Sequence, residues 1–142
     1  MTAGGCHLCE ADGGLLVFKN DQLRVIQAKE SSFPAFYRVV WNAHQPEFSD
    51  LTADERTSCM NAVVAVERAL RELLKPTKVN LAALGNAVPH LHWHVIARFD
   101  WDSHFPGSVW ADSQRAPDEQ KLGQTAMKCL QVNQLLAETL AS

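Results

Sequence analysis

Gly85-Asn86-Ala87-Val88-Pro89-His90-Leu91-His92-Trp93-His94-Val95-Ile96-Ala97-Arg98 is the stretch on which the reading of this chain turns. Successive side chains of a β-strand point to opposite faces, so an extended backbone here puts His90, His92 and His94 on one side and Leu91, Trp93 and Val95 on the other. A half-buried strand alternates apolar residues with varied polar ones, and packing gives no reason for three consecutive polar positions all to be histidine. The bland alternative is a solvent-facing strand that happens to carry histidines. With six histidines in the whole chain, their clustering at a period of two points instead to a catalytic or metal-binding row.

The surrounding chain sets bounds on that row. With 142 residues and 46% hydrophobic content, residues 1–142 are expected to form a single α+β domain with an ordinary core. A formal charge of −3 and the lack of long basic runs argue against a nucleic-acid-coating surface. No apolar stretch approaches a membrane span, and the N-terminus lacks signal-peptide character, so a cytoplasmic protein without a membrane partner is expected. The four cysteines do not form the dense pattern of a secreted disulfide scaffold. Cys59 and Cys129 read as small buried apolar residues on helix faces. Cys6-His7-Leu8-Cys9 reads as a knuckle able to offer two thiolates to one tetrahedral metal, or else as a knuckle left empty.

After the Gly13-Gly14 turn, Leu15 to Lys19 and Leu23 to Ala28 read as a hairpin, and Phe36 to Trp41 as a further strand that delivers His44 at its end. Thr52 with Glu55 forms a capping box for a long helix, whose stripe Cys59, Val63, Val66, Leu70, Leu73 and Leu74 runs up to Pro76. Lys78 to Leu84 supplies another strand, and the histidine strand runs on to about Phe99. Residues 100–115 show no periodicity and read as an ordered loop or lid. Pro117 and Asp118 open a C-terminal helix with the stripe Leu122, Ala126, Cys129 or Leu130, Asn133, Leu136 and Leu140. The expected fold is an antiparallel sheet of mainly sequential strands with its helices on one face.

His90 to Ile96, preceded by Gly85-Asn86, resembles the hallmark of the histidine triad (HIT) superfamily of nucleotide hydrolases and transferases. The early Cys-x-x-Cys pair, the Val-Val-x-x-x-His segment ending at His44 and the long helix before the triad fall where that family has them. The tail with His104, Phe105, Pro106 and Trp110 looks like a bacterial, diadenosine polyphosphate hydrolase-like branch. The resemblance implies a HIT-like sheet with a long central helix and a C-terminal helix, structural zinc on Cys6, Cys9, His44 and His90, and a homodimer. It assigns His92 as the nucleophile toward the α-phosphorus of a nucleotide, His94 as the phosphate contact that helps protonate the leaving group, and His90 as an orienting or zinc-binding residue. No organic cofactor is implied.

A neutral imidazole is nucleophilic near pH 7, and its attack on phosphorus splits a hard displacement into two easier ones through a phosphoramidate. Asn86 offers an amide to a phosphate oxygen, or simply suits a turn that tolerates positive φ. Two departures stand out. Ala87 occupies a position where many relatives have Ser or Thr, and near the ribose only Glu30 is acidic where relatives often use Asp. The expected activity is cleavage or transfer at the α-phosphate of a dinucleoside polyphosphate or nucleoside phosphoramidate. The rivals are a nucleotide-binding or scaffolding protein with little turnover, and a zinc protein whose triad ligates metal.

Overall fold

The computed structural model describes residues 4–142. A single helical turn, α1 (His7–Glu10), precedes strands β1 (Leu15–Lys19), β2 (Leu23–Gln27) and β3 (Phe36–Trp41). A 3₁₀ turn at Phe48–Asp50 leads into the long helix α2 (Ala53–Leu74), followed by β4 (Lys78–Ala82), β5 (His92–Arg98) and α3 (Glu119–Ala141). The strands form one antiparallel sheet in the order β1-β2-β3-β5-β4. Because β3 and β4 both run antiparallel to β5, they are parallel to each other, and α2 joins them across one face. The histidine strand enters last and fills the slot between them. The α+β expectation is met, with the sequential order broken only at this insertion.

Alternation along the strands sorts the side chains. Val25, Tyr37, Val39, Val95 and Ala97 share the core with the buried stripe of α2 and with Cys129, Val132 and Leu136 of α3. Val63, Val66 and Leu70 are at most 1% exposed, and each contributes about 1.5–3 kcal/mol by leaving water. The capping box of α2 is made in both directions, with Glu55 N–H donating to Thr52 Oγ1 at 3.2 Å and Thr52 N–H donating to Glu55 Oε1 at 2.8 Å. The helix stops as Lys75 turns left-handed (φ 48°) just before Pro76. No helix among the described residues is long and apolar enough to cross a membrane.

Three boundaries differ from the expectation. The inward stripe of α3 is Leu122, Thr125, Cys129, Val132 and Leu136, while Ala126 and Leu130 face outward. Steps of 3, 4, 3 and 4 residues track the helix, and apolar identity alone misleads at the neighbouring positions. Strand β4 ends at Ala82 rather than Leu84. The third difference concerns the triad, because regular pairing begins only at His92. Pro89 has no N–H to offer a ladder, and His90 N–H is spent on the Val88 carbonyl at 2.8 Å, so His90 lies ahead of the strand.

The segment after β5 is ordered around one buried ion pair. Arg98 Nε and Nη2 donate to Asp102 Oδ2 and Oδ1 at 2.8 and 3.1 Å, with both side chains 3% exposed. Asp102 also accepts from the backbone N–H groups of Phe99, His104 and Phe105. Burial alone raises its carboxyl pKa. The bonds from Arg98, His104 and Phe99 and the charge of Arg98 outweigh that and hold it below the ordinary 3.8. A carboxyl depressed in this way stabilises the fold above its unfolded pKa and loses that contribution as pH falls through the folded one. Asp102→Ala is therefore expected to cost about 3–5 kcal/mol in urea unfolding at neutral pH, since it strands a buried guanidinium. The gap between wild type and variant should narrow below pH 3.8. A gap unchanged with pH would show that the carboxylate charge is not the source.

Candidate active site and metal centre

The face of the sheet turned away from α2 and α3 carries the chemistry. Leu8 of α1 packs on Ile26 and Val40, which seats the knuckle against β2 and β3. Arg24 holds it there, with Nη2 donating to the carbonyls of Leu8 and Ala11 at 2.6 and 3.1 Å and Nε donating to that of Asp12 at 3.1 Å. Gly13 and Gly14 make the close approach feasible, since an added Cβ would lie 2.7 Å from Leu8 Cδ2 and 2.6 Å from the Gln27 carbonyl oxygen respectively.

This packing brings the knuckle to the histidines. The ligand atoms of Cys6, Cys9, His44 and His90 all lie within 4.8 Å of one another. His90 Nδ1 is 3.4 Å from Cys6 Sγ, 3.5 Å from Cys9 Sγ and 3.3 Å from His44 Nδ1, and His44 Nδ1 is 3.4 Å from Cys9 Sγ. Tetrahedral zinc with ordinary bond lengths requires S···N separations of about 3.6 Å and an N···N separation of about 3.3 Å. The donor set thus fits zinc in both chemistry and size. His90, fully buried, donates Nε2–H to the Trp41 carbonyl at 2.6 Å, which leaves the Nδ1 lone pair facing the other three ligands. Bound there, zinc would tie the N-terminal knuckle, the end of β3 and the triad together.

His92 and His94 stand side by side with ring centroids 4.9 Å apart. His92 Nδ1–H donates to the His90 carbonyl at 2.6 Å, so its Nε2 carries the free lone pair. Burial, partly opposed by this bond and reinforced by the Arg38 charge, lowers its pKa and keeps the ring neutral near pH 7. His94 is pushed down to about 4 by burial, then by His92 and Arg38. Its Nδ1 accepts from Arg38 Nε–H at 3.4 Å, which places the remaining proton on Nε2. In the free protein His94 is therefore a neutral ring that carries its proton on Nε2. Trp110 stands edge-on to His94 at 5.1 Å and to Phe36 at 6.4 Å, walling one end of the row from within the same chain.

The remaining candidates fall outside this cluster. Asn86 is exposed in the turn before the triad and makes no side-chain hydrogen bond among the described residues. Gly85, at φ 78°, supplies the positive-φ position of that turn. Glu30 is exposed and lines a cavity of about 510 Å³ with His7, Gly13, Gly14, Ala28, Lys29 and Arg38. His104 is occupied by the Ser103 hydroxyl at 2.8 Å and the edge of Phe33 at 5.0 Å. Cys59 and Cys129 are buried thiols whose pKa burial raises, Cys59 to about 11, as suits inert core residues. Arg38 was missed from the sequence, where an arginine in an alternating strand reads as an ordinary solvent-facing residue.

Protein purified without chelator is expected to carry about one zinc per chain by elemental analysis, given the complete four-ligand set. Cys9→Ser should lower that content and the melting temperature together, because the metal ties segments far apart in sequence. Full zinc content in the Cys9→Ser variant would remove Cys9 from the site.

No curated protein sequence matches the chain significantly. Among solved structures, it is similar to a histidine triad protein from Bradyrhizobium japonicum, at 29% identity and a TM-score of 0.68 over 84% of this chain and 90% of that one. A histidine triad protein from Marinobacter aquaeolei is 26% identical, with a TM-score of 0.71 over 94% of this chain and 100% of that one. A zinc-bound histidine triad family protein from Mycobacterium smegmatis, at 18% identity and a TM-score of 0.60 over 92% of this chain and 96% of that one, shares the fold. The HIT domain family itself matches residues 13–101, from the glycine turn beside the knuckle through the whole histidine row, and to that family this chain belongs.

Proposed function

We propose that this protein is a nucleotide hydrolase or nucleotidyl transferase that acts at the α-phosphate of a dinucleoside polyphosphate or a nucleoside phosphoramidate. The observation that carries this reading is the 2.6 Å bond from His92 Nδ1–H to the His90 carbonyl, which leaves Nε2 unprotonated. Membership of the HIT family supports nucleotide chemistry at this row. In the first step His92 Nε2 attacks the α-phosphorus, a P–N bond forms, and the bond to the leaving group breaks. The ring becomes cationic, and the His90 carbonyl then accepts a stronger, charge-assisted bond from Nδ1–H. In the second step water or another hydroxyl acceptor attacks phosphorus, the P–N bond breaks with its electron pair returning to His92 Nε2, and the acceptor's O–H proton is released to solvent. His94 Nε2–H donates to a phosphoryl or departing oxygen. His90 acts as a positioning residue through its carbonyl, and zinc on its ring would stiffen that support. The cavity beside Ala28, Glu30 and Arg38 suits the nucleoside, with Glu30 at its rim for the ribose hydroxyls. Asn86, in the turn before the triad, would donate its amide to a phosphate oxygen.

The protein is also proposed to act as a homodimer. Leu81 and Leu84, on and just after edge strand β4, are 45% and 55% exposed, and an open apolar edge favours pairing with a second copy. Sedimentation at micromolar concentration should report a dimer, and a monomer would overturn this assignment.

His92→Asn should leave nucleotide binding nearly unchanged and lower turnover by several orders of magnitude, since the covalent route is lost. His94→Asn should cost about a hundredfold to ten-thousandfold, and less for substrates with good leaving groups. Rapid acid quench with α-labelled nucleotide should trap label on wild-type protein and none on His92→Asn. An adduct on the variant, or near wild-type turnover, would overturn the assignment, and binding without any turnover in wild type would favour a scaffolding role.

A further inference from the structure

Three arginines on β2, β3 and β5 share the face that carries the histidines, and they differ in how their charge is used. Arg24 is bound to three carbonyls and to Asn42 Oδ1, and Arg98 to Asp102, Asn80 and the Gly107 carbonyl. Arg38, directly across from His94 in the β3–β5 register, makes one side-chain bond among the described residues, from Nε to His94 Nδ1, and its two terminal nitrogens have no partner among them. Its guanidinium is held in place by the Phe36 ring at 5.0 Å. Among the described residues no carboxylate lies within ion-pair distance, although Glu30 is near enough to act on it through its charge. A half-buried cation that has lost hydration and gained no counter-ion is costly in an empty groove, and that cost is recovered when an anion arrives.

We propose that Arg38 is an anion-binding and specificity residue of this site, one that grips the phosphate chain departing past His94 and so selects dinucleoside polyphosphates over nucleoside phosphoramidates. The proposal rests on the reading of His92 as nucleophile. As His92 Nε2 bonds to the α-phosphorus, the P–O bond to the next phosphate breaks and the electron pair leaves on that oxygen. A polyphosphate departs as an anion and needs no proton, only compensation of its growing charge. A guanidinium fork supplies that with two N–H groups. An amine must gain a proton as it departs. Here Arg38 works against it, because its Nε–H occupies His94 Nδ1 and its charge opposes forming the His94 imidazolium. One fixed cation thus favours one leaving group and disfavours the other.

The test measures kcat/KM of wild type, Arg38→Met and Arg38→Lys on diadenosine tetraphosphate and on an adenosine phosphoramidate of a primary amine. Binding of a methylene-bridged diadenosine tetraphosphate and of adenosine monophosphate is followed by calorimetry. Wild type should prefer the tetraphosphate, and Arg38→Met should lose about a hundredfold on it and at least about tenfold less than that on the phosphoramidate. Affinity for the bridged analogue should fall about tenfold to a hundredfold, with a smaller fall for the monophosphate. Arg38→Lys, which keeps the charge without the fork, should lie between. Melting temperatures within a few degrees of wild type would confirm that both variants are folded. Equal losses on both substrates, or no loss on either substrate and unchanged analogue binding, would overturn the role of Arg38 and leave the nucleophile assignment standing. Wild-type protein that neither binds nor turns over any of these nucleotides would overturn both.

Discussion

The bonding of a single residue, His90, sets the geometry of everything around it. Its ring has two nitrogens with different duties, one fixed by the Trp41 carbonyl and the other turned toward Cys6, Cys9 and His44. Its backbone carbonyl accepts a hydrogen bond from His92 Nδ1–H. One residue thus frames a candidate metal site through its ring and fixes, through its backbone carbonyl, which nitrogen of the neighbouring histidine keeps a free lone pair. Full burial of this imidazole, with both nitrogens engaged, is how the fold avoids the penalty of an unsatisfied polar group in its interior.

The alternation of the row was visible from spacing, but its place in the sheet was not. Alternation correctly put His92 and His94 on one face and Trp93 and Val95 on the other, and the capping box at Thr52 and Glu55 located the start of α2. Sequence could not reveal that β5 inserts between β3 and β4, since strand order depends on which edges remain open after the crossover helix is in place. His90 also broke the simple pattern. Pro89 ends the ladder before it, and the residue that looked like the first rung of the strand stands beside the knuckle, in the four-residue group that could hold a metal. The segment after Phe99 has no periodicity because its order comes from a single carboxylate collecting donors, which leaves no repeating trace in a sequence.

Charge is distributed over this face with little redundancy. Arg24 anchors the knuckle, Arg98 anchors the loop that carries Trp110, and Arg38 sits at the histidines. The first two act through carbonyl and carboxylate bonds that are complete within the chain. The histidine groove therefore lies between two rigid supports, and its walls owe their shape to hydrogen bonding more than to the apolar core behind the sheet. Preorganised dipoles of this kind need no rearrangement when charge develops in front of them.

The late insertion of β5 constrains how the molecule comes into being. His90 is 84 residues from Cys6 and 46 from His44, and β5 must be flanked by β3 on one side and β4 on the other before its register is complete. Contacts so distant along the chain are the slow ones to form, because the entropy of closing the intervening loops must be overcome before any pairing is rewarded. A nascent chain emerging from the ribosome can hold the knuckle, the first hairpin and most of α2 while still lacking His90, His92 and His94. The four-residue metal cluster and the histidine row are thus completed together, and only in the finished topology.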